Sequence, residues 1–145
     1  MTAQQMWELY SRKENLTAEY DAWAFGDQPD ALAQLVLDGI KTATSSLYLF
    51  YELEGEPLPE AGEYSVILDS KENAVCITKT TKVYTLPFDQ VSAEHACREG
   101  EGDRSLAYWR KVHEEFFTKE LFTEGIGFSP SLDVVCEEFE RVFHC

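Results

Sequence analysis

Lys41 and Thr44 place an amine and a hydroxyl three residues apart in the run Gly-Ile-Lys-Thr-Ala-Thr-Ser-Ser that spans 39–46. A threonine hydroxyl is a poor nucleophile at neutral pH and needs an adjacent base. A lysine supplies that base only where desolvation populates its neutral amine. A second run, from His95 to His113, sets Glu99, Glu101 and Asp103 around Gly100 and Gly102, followed by Arg104 and Trp109. The glycines permit a sharp turn that presents the three carboxylates toward one point. A carboxyl kept protonated there can donate to a departing amine, whereas an ionised one favours a charged lysine. Each residue also has a structural reading. Lys41 serves as a surface lysine and the threonines as strand formers, Asp103 caps a helix, Glu101 is solvated, the arginines pair with neighbouring acids, and His113 is a core histidine.

Elements of alternating type must position these groups. Residues from about 3 to 13 read as a helix with Met6, Trp7 and Tyr10 on one side. The stretch holding Tyr20, Trp23 and Phe25 is weakly periodic, an irregular or partly extended cover for the core whose aromatics could equally line a binding mouth. Pro29 opens a helix that Gly39 closes. A strand then begins, with Lys41, Ala43 and Ser45 on one face and Thr42 and Thr44 on the other, so a twist or bulge is needed to bring Lys41 and Thr44 to one cavity. Ser46 to Leu53 reads as a helix, Tyr64–Asp69 and Ala74–Tyr84 as a hairpin, and Ala93 to Glu99 as a short helix capped by Ser92. Asp103 caps a long helix from Arg104 to Phe122, and Leu132–Phe143 forms a closing strand. The order predicts an α+β fold with a small, mostly antiparallel sheet or barrel, built as one domain over 1–145.

Composition narrows the partners. A formal net charge of −15, from 27 acidic and 12 basic residues, opposes duplex DNA or any long polyanion unless the basic residues gather on one face. No apolar run approaches the roughly 20 residues that span a bilayer, and the N-terminus lacks the pattern of a signal peptide, so a cytoplasmic protein without membrane contact is expected. Cys76, Cys97, Cys136 and Cys145 show no Cys-x-x-Cys spacing and are not grouped with the histidines, so no metal is assigned.

Gly39-x-Lys-Thr-Ala-Thr together with Glu-Gly-Glu-Gly-Asp-Arg-Ser-Leu-x-x-Trp-Arg resembles the ASCH family over roughly Leu32 to Phe143, and the run Val-Val-Cys-Glu-Glu-Phe looks like that family's last strand. The subgroup it resembles carries a helical N-terminal extension, here residues 1–28. The resemblance implies a PUA-like β-barrel surrounded by helices, no cofactor, and a cavity for a small nucleoside or a short RNA. Small bacterial relatives hydrolyse the amide of N4-acylated cytidines with a lysine, a threonine and a glutamate, which fall by motif on Lys41, Thr44 and Glu99. Thr42, Ser45, Ser46, Glu101, Asp103, Arg104 and Trp109 are then expected substrate contacts. This sequence has Ser46 where the smallest relatives have an arginine, and Glu101 is a rival to Glu99. The expected reaction has Lys41 activating Thr44 or a water while Glu99 serves the leaving group. An RNA- or modified-nucleotide-binding module and a metal-independent ribonuclease are the competing expectations for the same cavity; oligomeric state is left open.

Overall fold

The computed structural model describes residues 1–145. Helix α1 (Ala3–Glu14) begins at a capping box, in which the Thr2 hydroxyl accepts from Gln5 N while the Gln5 side chain accepts from Thr2 N. Its apolar side, Met6, Trp7 and Tyr10, is buried against Val66 and Ile77. Each such large side chain contributes roughly 1.5–3 kcal/mol by leaving water. Strand β1 (Tyr20–Trp23) follows, then α2 (Pro29–Leu37), with proline at a first-turn position where no intrahelical donor is lost. Strand β2 (Ala43–Leu47) leads into α3 (Tyr48–Glu54). Ser46 therefore belongs to the strand and not, as its sequence suggested, to the helix.

Strands β3 (Tyr64–Leu68) and β4 (Ala74–Pro87) form the expected hairpin, with β4 running three residues further than its pattern indicated. Helix α4 (Ala93–Glu99) is capped by Ser92, whose hydroxyl accepts from His95 N. Helix α5 (Leu106–Phe122) starts two residues later than anticipated, because Ser105 and not Asp103 is its cap. Arg104 adopts a left-handed backbone (φ 65) that excludes it from the helix, and Asp103 instead accepts from Ser105 N. Strand β5 (Asp133–Phe143) closes the chain.

The five strands make one sheet in the order β1-β3-β4-β5-β2, antiparallel except for the parallel pair β1–β3. The sheet is mixed and open: β1 and β2 are its edges, with no ladder joining them, in place of the closed barrel anticipated from sequence. Register shifts between Ile77 and Thr78 and between Thr80 and Lys82 interrupt the long β4–β5 ladder, where bulges add twist. One core, around Leu47, Trp109, Phe117 and Val134, lies between the sheet and α4–α5; another, around Phe25, Val36, Ile67 and Phe139, lies beneath α2. No helix is long and apolar enough to cross a membrane.

Candidate functional site

The turn after α2 and the end of α4 are bonded to each other, and this contact assembles the site. Gly39 takes a left-handed backbone (φ 77), and the next two amides, Ile40 N and Lys41 N, both donate to Leu35 O. Thr42 N then donates to Arg98 O at 2.7 Å, tying the approach to β2 to the last turn of α4. A Cβ on Gly100 would stand 2.6 Å from the Ile40 carbonyl oxygen, so only glycine lets the two segments come this close. Lys41 thereby reaches inward beside the C-terminus of α4.

Lys41 Nζ is a donor with three acceptors: Glu101 Oε2 at 2.9 Å, Glu99 Oε1 at 3.1 Å and the Glu99 carbonyl at 3.4 Å. It also lies 5.4 Å from the centroid of the Phe25 ring. Its side chain and that of Glu99 are each 1% exposed, whereas Glu101 is 17% exposed. The hydrogen bonds of Lys41 run to these two residues, and none joins it to Thr44.

Glu99 is the hub of the cluster. Oε1 accepts from Lys41 and from His113 Nε2 at 3.3 Å; Oε2 accepts from His95 Nε2 at 2.8 Å, Trp109 Nε1 at 2.5 Å and the Ser45 hydroxyl. Burial alone would raise this carboxyl, but the charges of Lys41 and His113 and the hydrogen bonds from both histidines outweigh it and hold Glu99 well below the ordinary carboxylate range. Glu99 is therefore an ionised anchor. This environment favours the ionised carboxylate, whereas the leaving-group role expected from sequence calls for the protonated form.

His113 shows how the anchor shapes its neighbours. Its Nδ1 lies 2.9 Å from Trp109 O, which can only accept, so Nδ1 carries a proton. Nε2 lies 3.3 Å from Glu99 Oε1, a carboxylate contact that favours a proton there as well and so the charged ring. Burial opposes that charge, but Glu99 wins and His113 titrates above its ordinary value. The ring stacks on Trp109 with centroids 4.4 Å apart.

The cluster opens on a cavity of about 650 Å³, within the range of small-molecule sites. Lining residues come from both sheet edges, Asp21 to Trp23 of β1 and Thr44 to Ser46 of β2, so the cavity fills the gap where a barrel would have closed. Trp23, Phe25 and Phe116 give aromatic wall, so two of the three early aromatics meet the cavity while Tyr20 stacks on Trp7 in the core. Eight carboxylic residues, Asp21, Asp27, Glu56, Glu63, Glu99, Glu101, Glu120 and Glu137, line the space against Lys41 and His113 as its only basic ones. Such walls repel phosphate and suit neutral or cationic ligands.

Of the residues singled out from sequence, Lys41, Thr44, Ser45, Ser46, Glu99 and Glu101 line this cavity. The others stand off it. The Thr42 hydroxyl donates to Arg98 O, Asp103 serves the turn before α5, Arg104 Nε donates to Cys97 O, and Trp109 is buried behind Glu99. His95, His113 and Glu137 were not recognised as site residues. The i,i+4 spacings His95–Glu99 and Trp109–His113 each put two of these groups on one helix face, the one signal in the sequence that links them. Glu99, Glu101 and His113 bring ligand atoms within 4.8 Å of one another, a spacing open to a metal ion, but both carboxylates already bind the Lys41 ammonium.

Residues 21–143 match the ASCH domain family. The fold superposes on the crystal structure of an ASCH domain from Lactobacillus crispatus JV V101 with a TM-score of 0.91 and 34% identity, covering 97% of this chain and 94% of that one. A protein from Enterococcus faecalis V583 gives a TM-score of 0.89 at 38% identity, over 96% of this chain and 86% of that one. The ASCH protein of Zymomonas mobilis shares the fold alone, with a TM-score of 0.52 and 10% identity over 86% of this chain and 66% of that one. No curated protein matches the sequence.

Proposed function

The chain belongs to the ASCH domain family, and from that premise we propose that it is an amidohydrolase acting on N4-acylated cytidine-type nucleosides. The observation that carries this reading is the Lys41 ammonium, held between Glu99 and Glu101 at the wall of an aromatic-lined cavity. In the proposed reaction Lys41 polarises the acyl carbonyl and stabilises the oxyanion that forms on it. Glu101, less buried than Glu99, swings from Lys41 and takes a proton from the attacking water. It returns that proton to N4 as the C–N bond breaks, so amide and water become amine and carboxylic acid. Glu99 holds Lys41 and His113 in place. Thr44 is proposed to orient the water from the wall.

The carboxylate-rich lining favours a nucleoside over RNA, since it offers a phosphate chain one lysine and one histidine against eight acids. Incubation with a panel of N4-acylated cytidines and a short RNA, read by mass spectrometry, tests the proposal. Deacylation with intact RNA is expected. Strand cleavage moves the assignment to a ribonuclease, and no change in either substrate leaves a binding module. A mass increment of one acyl group on the protein would make Thr44 the nucleophile in place of water.

A further inference from the structure

Glu137 presents an unresolved charge. It is half-buried on the cavity wall, yet no lysine, arginine or histidine nitrogen lies within 4 Å of its carboxylate. Its hydrogen-bond partner is the buried Thr80 hydroxyl, which donates to Oε2 at 2.7 Å and leaves Oε1 without a protein donor. Burial and the charge of Glu63 push this carboxyl up from its ordinary value, against the effect of Thr80. A sheltered carboxylate without a cation costs stability. Glu99 is buried more deeply but is matched by five donors; Glu137 is matched by one.

Its position relative to Lys41 is set by the ladder. Glu137 is the cross-strand partner of Thr44, and Phe139 N donates to Thr42 O, so the pairing of β2 with β5 continues back toward Lys41. Three residues of extended chain separate Lys41 from Thr44, roughly 10 Å. On that backbone span Lys41 and Glu137 form two poles of the cavity, their Cα atoms on the order of 10 Å apart. Ser46 and Tyr51, whose hydroxyls lie 2.8 Å from each other, line the same wall as Glu137 and Thr80.

We propose that Glu137, with Thr80 behind it and the Ser46–Tyr51 pair beside it, reads the ribose of the ligand, its free oxygen accepting from the vicinal 2′- and 3′-hydroxyls. The inference rests on the nucleoside reading above and names the part of the nucleoside that the far pole takes. An ionised carboxylate only accepts, and the diol is the part of a nucleoside that offers two adjacent hydroxyl donors. The same carboxylate repels a 5′- or 3′-phosphate, which makes the ligand a ribonucleoside and not a nucleotide.

The test compares N4-acetylcytidine with N4-acetyl-2′-deoxycytidine in the wild type and in Glu137→Ala, by kcat/KM. A parallel calorimetric titration uses cytidine and 2′-deoxycytidine, which need no turnover. The wild type is expected to prefer the ribonucleoside by roughly 10–100-fold, the worth of a charge-assisted hydrogen bond. In Glu137→Ala that ratio falls to near unity. Diol-dependent binding of cytidine without deacylation would refute the hydrolase and leave the ribose assignment standing. A wild type that treats both sugars alike overturns the assignment. So does a Glu137→Ala protein that weakens on both ligands equally, or a wild type that binds neither.

Discussion

Lys41 Nζ and Glu99 Oε1 stand 3.1 Å apart across 58 residues of sequence, on side chains each 1% exposed. An ion pair this sheltered has lost its hydration, so its members depend on each other and on the hydrogen bonds around them. Removing Lys41 takes from Glu99 its lysine charge and leaves it His113 and neutral donors, and removing Glu99 leaves Lys41 with Glu101. Lys41→Met should therefore destabilise the protein by about 3–5 kcal/mol. Adding Glu99→Gln should cost less than the sum of the two single changes. Urea denaturation of the four proteins checks this, and additive losses would show that the pair is not coupled.

The same cluster sets a pH window for stability. Glu99 titrates below its ordinary value of 4.5 in the folded protein, so its contribution is complete above that value and is lost as pH falls toward the folded one. His113 titrates above its ordinary 6.5, so its contribution is complete below 6.5 and is lost as pH rises through the folded value. The pair together stabilises most between about 4.5 and 6.5. Melting temperatures across pH should decline above that window in the wild type, and His113→Gln should flatten the alkaline decline. An unchanged alkaline slope in His113→Gln would assign that decline to other groups.

Gly39 and Gly100 both adopt positive φ, 77 and 72, but only one is crowded. A Cβ on Gly39 meets nothing within 4 Å, so Gly39→Ala should cost only the backbone strain, about 1 kcal/mol. A Cβ on Gly100 meets the Ile40 carbonyl at 2.6 Å and must push α4 away from the turn that carries Lys41. Gly100→Ala should cost roughly 2–3 kcal/mol or more. Equal melting temperatures for the two variants would mean that the close approach carries no constraint.

The cysteines divide by burial. Cys76 and Cys136 are buried, and burial pushes both thiols up to about 12, which leaves almost no thiolate at neutral pH. Cys97 and Cys145 are exposed. Titration of the native protein with a chromogenic disulfide should release the equivalent of two thiols quickly, and of all four only after unfolding. Rapid reaction of a third would contradict the burial.

Local signals in the sequence carried most of the elements, because Pro29, Gly39, Ser92 and the 70–73 turn act within a few residues of where they stand. Asp103 misled because two capping residues lie two positions apart, and the left-handed Arg104 between them hands the role to Ser105. Closure of the sheet was illegible for a different reason. Whether β1 meets β2 depends on twist accumulated over five strands and on bulges in β4, none of which alternation records. Lys41, Glu99 and Glu101, which the structure brings together, stood out in the sequence by residue type beside the glycines and by the resemblance to the ASCH motifs. The saturation of Glu99 did not, since its donors Ser45, His95, Trp109 and His113 come from three elements. Glu137 reads in sequence as one more acid in an acidic chain, and only its place on the inner wall of the cavity sets it apart.

The most direct measurement is kcat for hydrolysis of N4-acetylcytidine by the wild type, Lys41→Met and Glu101→Gln, each held below its own melting midpoint. Loss of the polarising ammonium or of the proton carrier should lower kcat by roughly 10²–10³-fold. Turnover by either variant equal to that of the wild type would contradict the roles assigned to Lys41 and Glu101.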